Sequence, residues 1–440
     1  MQQKPSRPVK ATLRTRQPLD LEGTDLQTDS HAADSSTSSS TQLLALLSRL
    51  FAPLRRSPNF PATLQHVKGL LYDQQYLAAF GTESEEGERW REVYAARWVP
   101  SRAVIYQRIF EECDMAQHLG WQTPSDGTSE NGGERPRSEE EELEQERERA
   151  KLRRRLRQEG KSADEISQAV DELEQKLRAA RAPAGSEAEG AAAVVDAIMI
   201  GAGAGSEVVA LGAVLGVAAA GAEGEDTSES APVSDRRPPR VRVQAVDQGS
   251  WDVLLDKMAQ GLRDAWPTLE SEQVDQQQPR FDVRFVKGNV LDDKMITAAG
   301  SSSAPMIDFG SRTLRLITIC FTITELLLQS RLGTLRLLST ISRSAPSGTL
   351  FLIVESASLA QIPIGQEGRT YPLGKLLDHA LCGGGGAGEQ GGGAWEILKS
   401  EDAKWYRMPD DADEVYNAMG KGTRVKLENS RVVLRLYRKR

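Results

Sequence analysis

A chain of 440 residues with 39% hydrophobic and 5% aromatic side chains has room for about two or three domains, but too little apolar material to pack all of them. Three cysteines (Cys113, Cys320, Cys382) and four histidines exclude a disulfide framework and argue against a zinc site, so a reducing, intracellular compartment and no metal cofactor are expected. The net charge of −8 does not exclude a nucleic-acid partner, because in 122–190 Asp and Glu outnumber Lys and Arg and much of the acidity belongs to that stretch.

Residues 1–41 are polar and Ser/Thr-rich, which predicts a disordered tail. Lys4, Arg7, Lys10, Arg14 and Arg16 precede its first acid, Asp20. Such a basic start suits a nuclear signal, a mitochondrial presequence or a polyanion-binding arm, and equally a merely solvated tail. No secretory leader is visible. From Thr41 onward, Leu43, Leu44, Leu46, Leu47 and Leu50, then Leu64, Val67, Leu70 and Leu71, recur at helical spacing. With Tyr76–Phe80 and the aromatic, partly basic stretch Tyr94–Tyr106, they predict a helical N-terminal module over 42–121. Residues 122–190 open on a Gly/Ser/Pro loop and continue into Glu and Arg runs. Glu-to-Arg pairs at i, i+4 support a solvated helix, and apolar heptads are too sparse for a coiled coil, so this is expected to be a low-complexity surface insertion.

Within 191–440, strand and helix patterns alternate, as in a parallel α/β sheet. Strands are predicted at 194–200, 241–246, 281–287, 314–321 and 349–355, with helices at 206–219, 251–264 and 324–342. The uncharged run 208–222 is shorter than the ~20 residues that span a bilayer, so it reads as a buried helix rather than a membrane anchor. Loops are expected at 222–240, around Pro238 and Pro239, and at 383–393, which is rich in glycine. Two closing strands, 394–400 and 430–438, have no helix between them and predict an antiparallel pair. The fold class is therefore α/β, a Rossmann-like, mostly parallel sheet with an antiparallel C-terminal strand pair.

The chemistry starts where the first strand meets Gly201, Ala202, Gly203 and Gly205, with Glu207 just beyond. Glycines at a strand–helix corner let a ligand lie against bare peptide, and the helix N-terminus offers free N–H groups. A dinucleotide fingerprint needs its third glycine at 206, where this chain has Ser206. The G-x-G-x-G spacing is that of the class I methyltransferase loop, which binds S-adenosylmethionine (SAM); an ordinary tight turn is the plain alternative. Asp247 ends the second strand, where an acid can accept the ribose hydroxyls or cap the next helix. Past the third strand, Asn289 and Asp292 are alternative partners for an adenine amino group, beside Val290. Trp251 either covers the adenine face or fills core. Thr322, Thr324 and Glu325 follow the fourth strand, at the sheet end where chemistry collects; Glu325 is also placed as a first-turn helix acid. Glu355 ends the fifth strand with the same two readings. No Ser/His/Asp order, H-E-x-x-H, Walker loop or C-x-x-C occurs, and Asp378-His379 is an isolated polar pair.

Taken together, several stretches resemble one family. They are Gly201–Leu211, the Val246-Asp247…Trp251 step, Phe321–Leu326, Tyr371…His379, Ser400–Pro409 and the terminal Leu434–Arg440, joined by Tyr76–Phe80 and Arg97–Ala103. This set is similar to the eukaryotic, chiefly fungal, methyltransferases that modify uridine N3 in large-subunit (25S) ribosomal RNA. The resemblance spans about 60–110 and 191–440. It implies SAM as cofactor, ribosomal RNA as partner, and a nuclear, nucleolar or cytoplasmic location, with the mitochondrion left open. It also implies a single-stranded or flipped-out uridine, because N3 is hidden in a paired helix. Glu325 is then the candidate for removing the N3 proton, with Thr324 beside it, and arginines and aromatics in 94–106, 405–407 and 437–440 are candidates for stacking bases and meeting phosphates. Two departures stand out: Thr324 occupies the place of an expected Asn, and Met199 that of an acid two residues before the first glycine. A methyltransferase acting on protein or a small molecule, and a non-catalytic binding module of the same fold, are the competing readings; a dinucleotide oxidoreductase is disfavoured by Ser206.

Overall fold

The structure, a computed structural model, describes residues 30–121, 193–223, 238–270, 278–296, 306–364, 369–383, 393–419 and 421–440. The 122–190 insertion, most of the 222–240 and 383–393 loops and the basic N-terminus lie outside the described residues.

Seven strands form the central sheet: β1 (Val194–Ile200), β2 (Arg240–Asp247), β3 (Phe281–Lys287), β4 (Leu314–Cys320), β5 (Leu350–Ser356), β8 (Trp395–Tyr406) and β9 (Ser430–Lys439). Their order is β3-β2-β1-β4-β5-β9-β8. The first five pair in parallel, and β9 and β8 are added antiparallel. A separate hairpin, β6 (Gln361–Ile364) with β7 (Arg369–Pro372), was not legible in the sequence.

β5 reads as an unbroken apolar run over Leu350–Val354, and β4 as a largely apolar one, because both faces of the sheet are covered. Alternate residues point opposite ways. Ala197, Met199, Leu316, Leu350, Leu352 and Val354 join one core, while Ile198, Ile200, Ile317, Ile319, Phe351 and Ile353 join the other. The first core is built under α6 (Ser206–Glu223) and α7 (Asp252–Ala265), and the second under α8 (Ile323–Gln329), α9 (Arg331–Ser344) and α10 (Leu373–Cys382). The uncharged run in α6 is accounted for by burial, since Val208 through Leu215 are covered throughout. Among the described residues no helix is long and apolar enough to cross a membrane.

The helix predicted over 324–342 is two helices. Ser330 is extended (φ −161°, ψ 103°), and its hydroxyl caps α9 by accepting the Gly333 N–H at 3.0 Å. A good N-cap residue therefore interrupts a run whose apolar spacing is continuous. β8 also runs on to Tyr406, beyond the predicted 400, across two register shifts that change which residues face inward.

The N-terminal module comprises α1 (Ser30–Arg55), α2 (Phe60–Tyr72), α3 (Tyr76–Phe80), α4 (Glu85–Glu112) and α5 (Met115–His118). α1 reaches back to Ser30, into the stretch 1–41 expected to be disordered. Ser39 and Ser40 are buried, with the Ser39 hydroxyl accepting from Gln107 of α4, so a polar pattern there hides a packed helix face. α4 lies along α6, and α1 packs on α4. The short α11 (Ala412–Asn417) closes over α1, where Arg55 is buried. Arg55 donates to the Tyr416 carbonyl at 2.8 Å and to Asn417 Oδ1 at 2.9 Å, with its guanidinium 4.3 Å from the Tyr416 ring centre.

Candidate active site

A cleft of about 940 Å³ opens at the carboxyl ends of β1, β2 and β4, where ligands collect in an open α/β sheet. Its floor is the Gly201–Ala204 turn, Asp247–Gly249, Gly288, Val290 and Cys320–Thr322, and its opposite wall comes from the N-terminal module: Tyr76, Phe80, Tyr94, Trp98, Arg102 and Tyr106.

The glycine corner adopts a backbone that side chains disfavour. Gly201 (φ +71°), Gly203 (φ +44°) and Gly205 (φ +80°) are all left-handed. A Cβ on Gly201 would lie 2.2 Å from Thr322 Oγ1, whereas the glycine leaves the peptide bare toward the cleft. Gly205 does not face the cleft; its Cβ position is taken by Leu255 of α7 at 2.6 Å, so it packs the turn onto the helix beneath.

Asp247 is the hub of this floor. Its Oδ2 accepts the Gly203 N–H at 3.0 Å, and its Oδ1 accepts the Gly249 N–H at 2.8 Å and the Trp251 indole N–H at 3.0 Å. Burial pushes its pKa up even so, against the pull of these donors. Trp251 lines the cleft edge and is also core, 1% exposed and stacked near Phe80 and Tyr94. The core-filling reading describes it, and its place at the cleft edge leaves a contact with the cofactor as a proposal.

The structure separates the other sequence candidates. Val290 lies on the cleft wall, but Asn289 and Asp292 do not: their carboxamide and carboxyl oxygens accept the Leu291 and Lys294 N–H groups at 3.0 Å in local turns. Thr322 lines the cleft and donates to the Cys320 carbonyl at 3.1 Å. Thr324 is buried, off the cleft wall, and its N–H donates to Glu355 Oε2 at 3.1 Å. Glu355, 1% exposed, also accepts the Ser356 N–H, which makes it an anchor for the start of α8 rather than a cleft group. Asp378 accepts from Arg435 and Tyr437 and ties α10 to β9.

Glu325 does face the cleft. Tyr76, on the opposite wall, is near enough for its hydroxyl and this carboxyl to influence each other's titration. Glu325 as a whole is exposed. Lost hydration first, and the nearby Glu355 and Asp247 charges second, push its pKa up to about 7, while Arg102 pulls the other way. Arg102 donates to the Tyr94 hydroxyl at 2.7 Å and lies 5.3 Å from the Phe321 ring centre. Phe321 itself has φ +53°, a strained conformation for a bulky residue. This wall was legible only as an aromatic, basic stretch, because its placement depends on how α4 docks.

The three stretches expected from the sequence to meet RNA fall in different places. Residues 94–106 supply the cleft wall. Trp405 is 58% exposed at the end of β8, level with Arg431 and on the same sheet edge as the cleft. The tail 437–440 is at the opposite edge: Arg438 pairs across from Leu350 at the start of β5 and bonds Glu396, and Tyr437 is fully buried. Those residues complete β9, which explains why an arginine-rich, aromatic ending is not a cleft surface.

The cleft suits SAM on this chain's own geometry. Bare peptide at Gly201 and Gly203, an acid at the tip of β2 and a volume within the ~300–1,000 Å³ of ligand pockets provide one nucleoside end and one amino-acid end. Sheet order, glycine corner and tip acid together define a class I methyltransferase fold. Comparison with known proteins gives the same class, since a family of SAM-dependent methyltransferases matches residues 47–438. The chain belongs to that family. It is similar to the 25S rRNA (uridine(2843)-N(3))-methyltransferase of Saccharomyces cerevisiae, with 23% identity over 402 residues, 90% of this chain and 82% of the yeast protein. Solved structures it resembles include a SAM-dependent methyltransferase from Clostridium acetobutylicum (11% identity, TM-score 0.26, 56% of this chain and 83% of that one). Another is a TehB-like SAM-dependent methyltransferase from Corynebacterium glutamicum (14% identity, TM-score 0.24, 62% and 98%).

Proposed function

We propose that this enzyme methylates N3 of a uridine in large-subunit ribosomal RNA, in the nucleus, nucleolus or cytoplasm. The observation that carries the reading is a cofactor floor facing an aromatic wall, with Glu325, a carboxyl of raised pKa, across the cleft from that wall, in a chain similar to the yeast uridine-N3 enzyme. Bound SAM would supply an electrophilic methyl group on a sulfonium.

The protein's own work is positioning and proton removal. The Gly201–Gly203 turn and Asp247 hold the cofactor end. Tyr94, Trp98 and Tyr76 offer flat faces against which a flipped uracil stacks. N3 of uracil carries a proton that must leave as the new bond forms. Glu325, with a pKa near neutrality, is a stronger base than an ordinary carboxylate and still substantially ionised at pH 7. Tyr76 faces it across the cleft. Trp405 and Arg431, exposed on the same edge, extend the contact surface.

Mass spectrometry of nucleosides from large-subunit rRNA, with and without this protein, tests the proposal. Loss of 3-methyluridine is expected. Label from SAM entering protein but not RNA would replace it with the protein-substrate reading.

A further inference from the structure

Glu207 is a carboxyl without a cation. It stands in the first turn of α6, is 2% exposed, and still lines the cleft. Its partner is neutral: the Thr318 hydroxyl donates to Oε1 at 3.1 Å, and the Cys320 thiol lies nearby. Among the described residues no Lys, Arg or His pairs with it. A buried carboxylate with only neutral donors is costly unless it stays protonated or a cation arrives. Lost hydration accordingly pushes its pKa up to about 7, with Asp247 adding to the rise. The charged and titratable groups around it are Asp247 from β2, Cys320 from β4, and Tyr106 from α4.

Its place in the sheet says which end of a ligand it meets. A nucleoside held at Asp247 lies over β2 and β3, so the other end of the same molecule crosses β1 toward β4. That is where Thr318 and Cys320 present Glu207. The position two residues before Gly201 holds Met199, which is buried and apolar, and so offers no charge there. Resting on the SAM reading of the cleft, we infer that Glu207 receives the α-ammonium of the cofactor's amino-acid end and is the residue that selects a ligand carrying it.

S-Adenosylhomocysteine and 5′-methylthioadenosine are both uncharged at sulfur and differ by the amino-acid arm. Calorimetry of both ligands on the full chain and on Glu207→Gln therefore isolates that arm. The Gln variant should bind S-adenosylhomocysteine about ten- to a hundredfold more weakly, the range of a charge-assisted hydrogen bond, and 5′-methylthioadenosine within about twofold of the parent. Equal effects on the two ligands, or none on S-adenosylhomocysteine, overturn the inference. A parent chain that binds neither ligand overturns the cofactor reading instead. Should the variant fail to fold, the parent still decides. At pH 6.5 the ligand's amino group, with an ordinary pKa near 8, is already protonated, so binding should release protons as Glu207 ionises. Titrations in two buffers of different ionisation enthalpy measure this; no release with S-adenosylhomocysteine refutes the assignment.

Discussion

Gly201→Ala sets the clearest mechanical test of the cofactor floor. A residue with a Cβ at φ +71° costs roughly 1–2 kcal/mol for the left-handed backbone. The new methyl would also sit 2.2 Å from Oγ1, 2.4 Å from Cγ2 and 2.7 Å from Cβ of Thr322, an overpacking cost of about 1–3 kcal/mol. The total, about 2–5 kcal/mol, combines one part Thr322 cannot affect and one part it causes. Thr322→Ala removes the two nearest atoms but leaves its own Cβ at 2.7 Å, so relief is partial. Alone it loses the hydroxyl's bond to the Cys320 carbonyl, about 1 kcal/mol. The double variant should therefore be less damaged than the sum of the singles by about 1–2 kcal/mol. Calorimetric SAM affinity and thermal unfolding of all four proteins close the cycle. Additivity within about 0.5 kcal/mol would show that the turn does not rest against Thr322.

Glu325 should leave its mark on pH. The base form must be free, so log kcat/KM should rise with pH and level off above about 7, and Glu325→Gln should lose about 10²–10⁴-fold in rate; a rate indifferent to both denies it the role of base. Glu207 should leave its mark on stability instead. Its folded pKa of about 7 exceeds the unprotected 4.5, so the folded state holds the extra proton and ligand-free stability falls as pH rises from 4.5 through 7, by up to about 3 kcal/mol. Denaturant melts of Glu207→Gln should show a flatter dependence over that window, and an unchanged slope would contradict it. Arg55→Ala removes bonds to Tyr416 and Asn417 and the ring contact; a loss of about 3 kcal/mol is expected from buried, charge-assisted bonds, and a change below about 0.5 kcal/mol in the same melts would mean that α11 does not depend on it.

The parallel half of the sheet was legible because burial on both faces writes itself as apolar runs: β1, β3 and β4 fall within a residue of their predicted ends. Gly201, Gly203 and Asp247 were legible for a related reason, as backbone demands and a strand-tip acid leave local signatures. What the sequence hid depends on tertiary placement. Asn289 looked as good a cleft residue as Val290, and only the turn geometry sends its carboxamide to the Leu291 N–H. Thr324 and Glu325 are neighbours, yet helix phase buries the side chain of the first and leaves the second at the cleft. The basic tail misled because Tyr437 satisfies Asp378 of α10 and Arg438 satisfies Glu396 of the neighbouring strand, which no local pattern reveals.

The opposite wall of the cleft raises a question of rigidity. Tyr94, Trp98 and Arg102 are useful for placing an acceptor only if α4 holds still against the glycine corner, since displacements near 1 Å can cost about 10²-fold in rate. The fold meets this demand by fastening α4 along its length. Ala96, Val99 and Ala103, a fully buried stripe at helical spacing, belong to the same core as Val208 and Leu211 of α6, which follows the glycine corner directly. At the C-terminal end of α4, Glu112 accepts from Lys404 at 2.7 Å, Tyr406 at 3.0 Å and Lys399 at 3.1 Å, all from β8. Midway, Tyr416 of α11 donates its hydroxyl to the Ala96 carbonyl. Such bonds to a half-buried carboxylate and a buried carbonyl gain strength from their low-dielectric surroundings. α3 is held differently: Tyr76 and Leu77 are 39% and 67% exposed, and Tyr76 faces Glu325 across the cleft. The fixed part of the wall thus sets the shape of the cleft opposite the glycine corner, and the exposed part faces Glu325 across it.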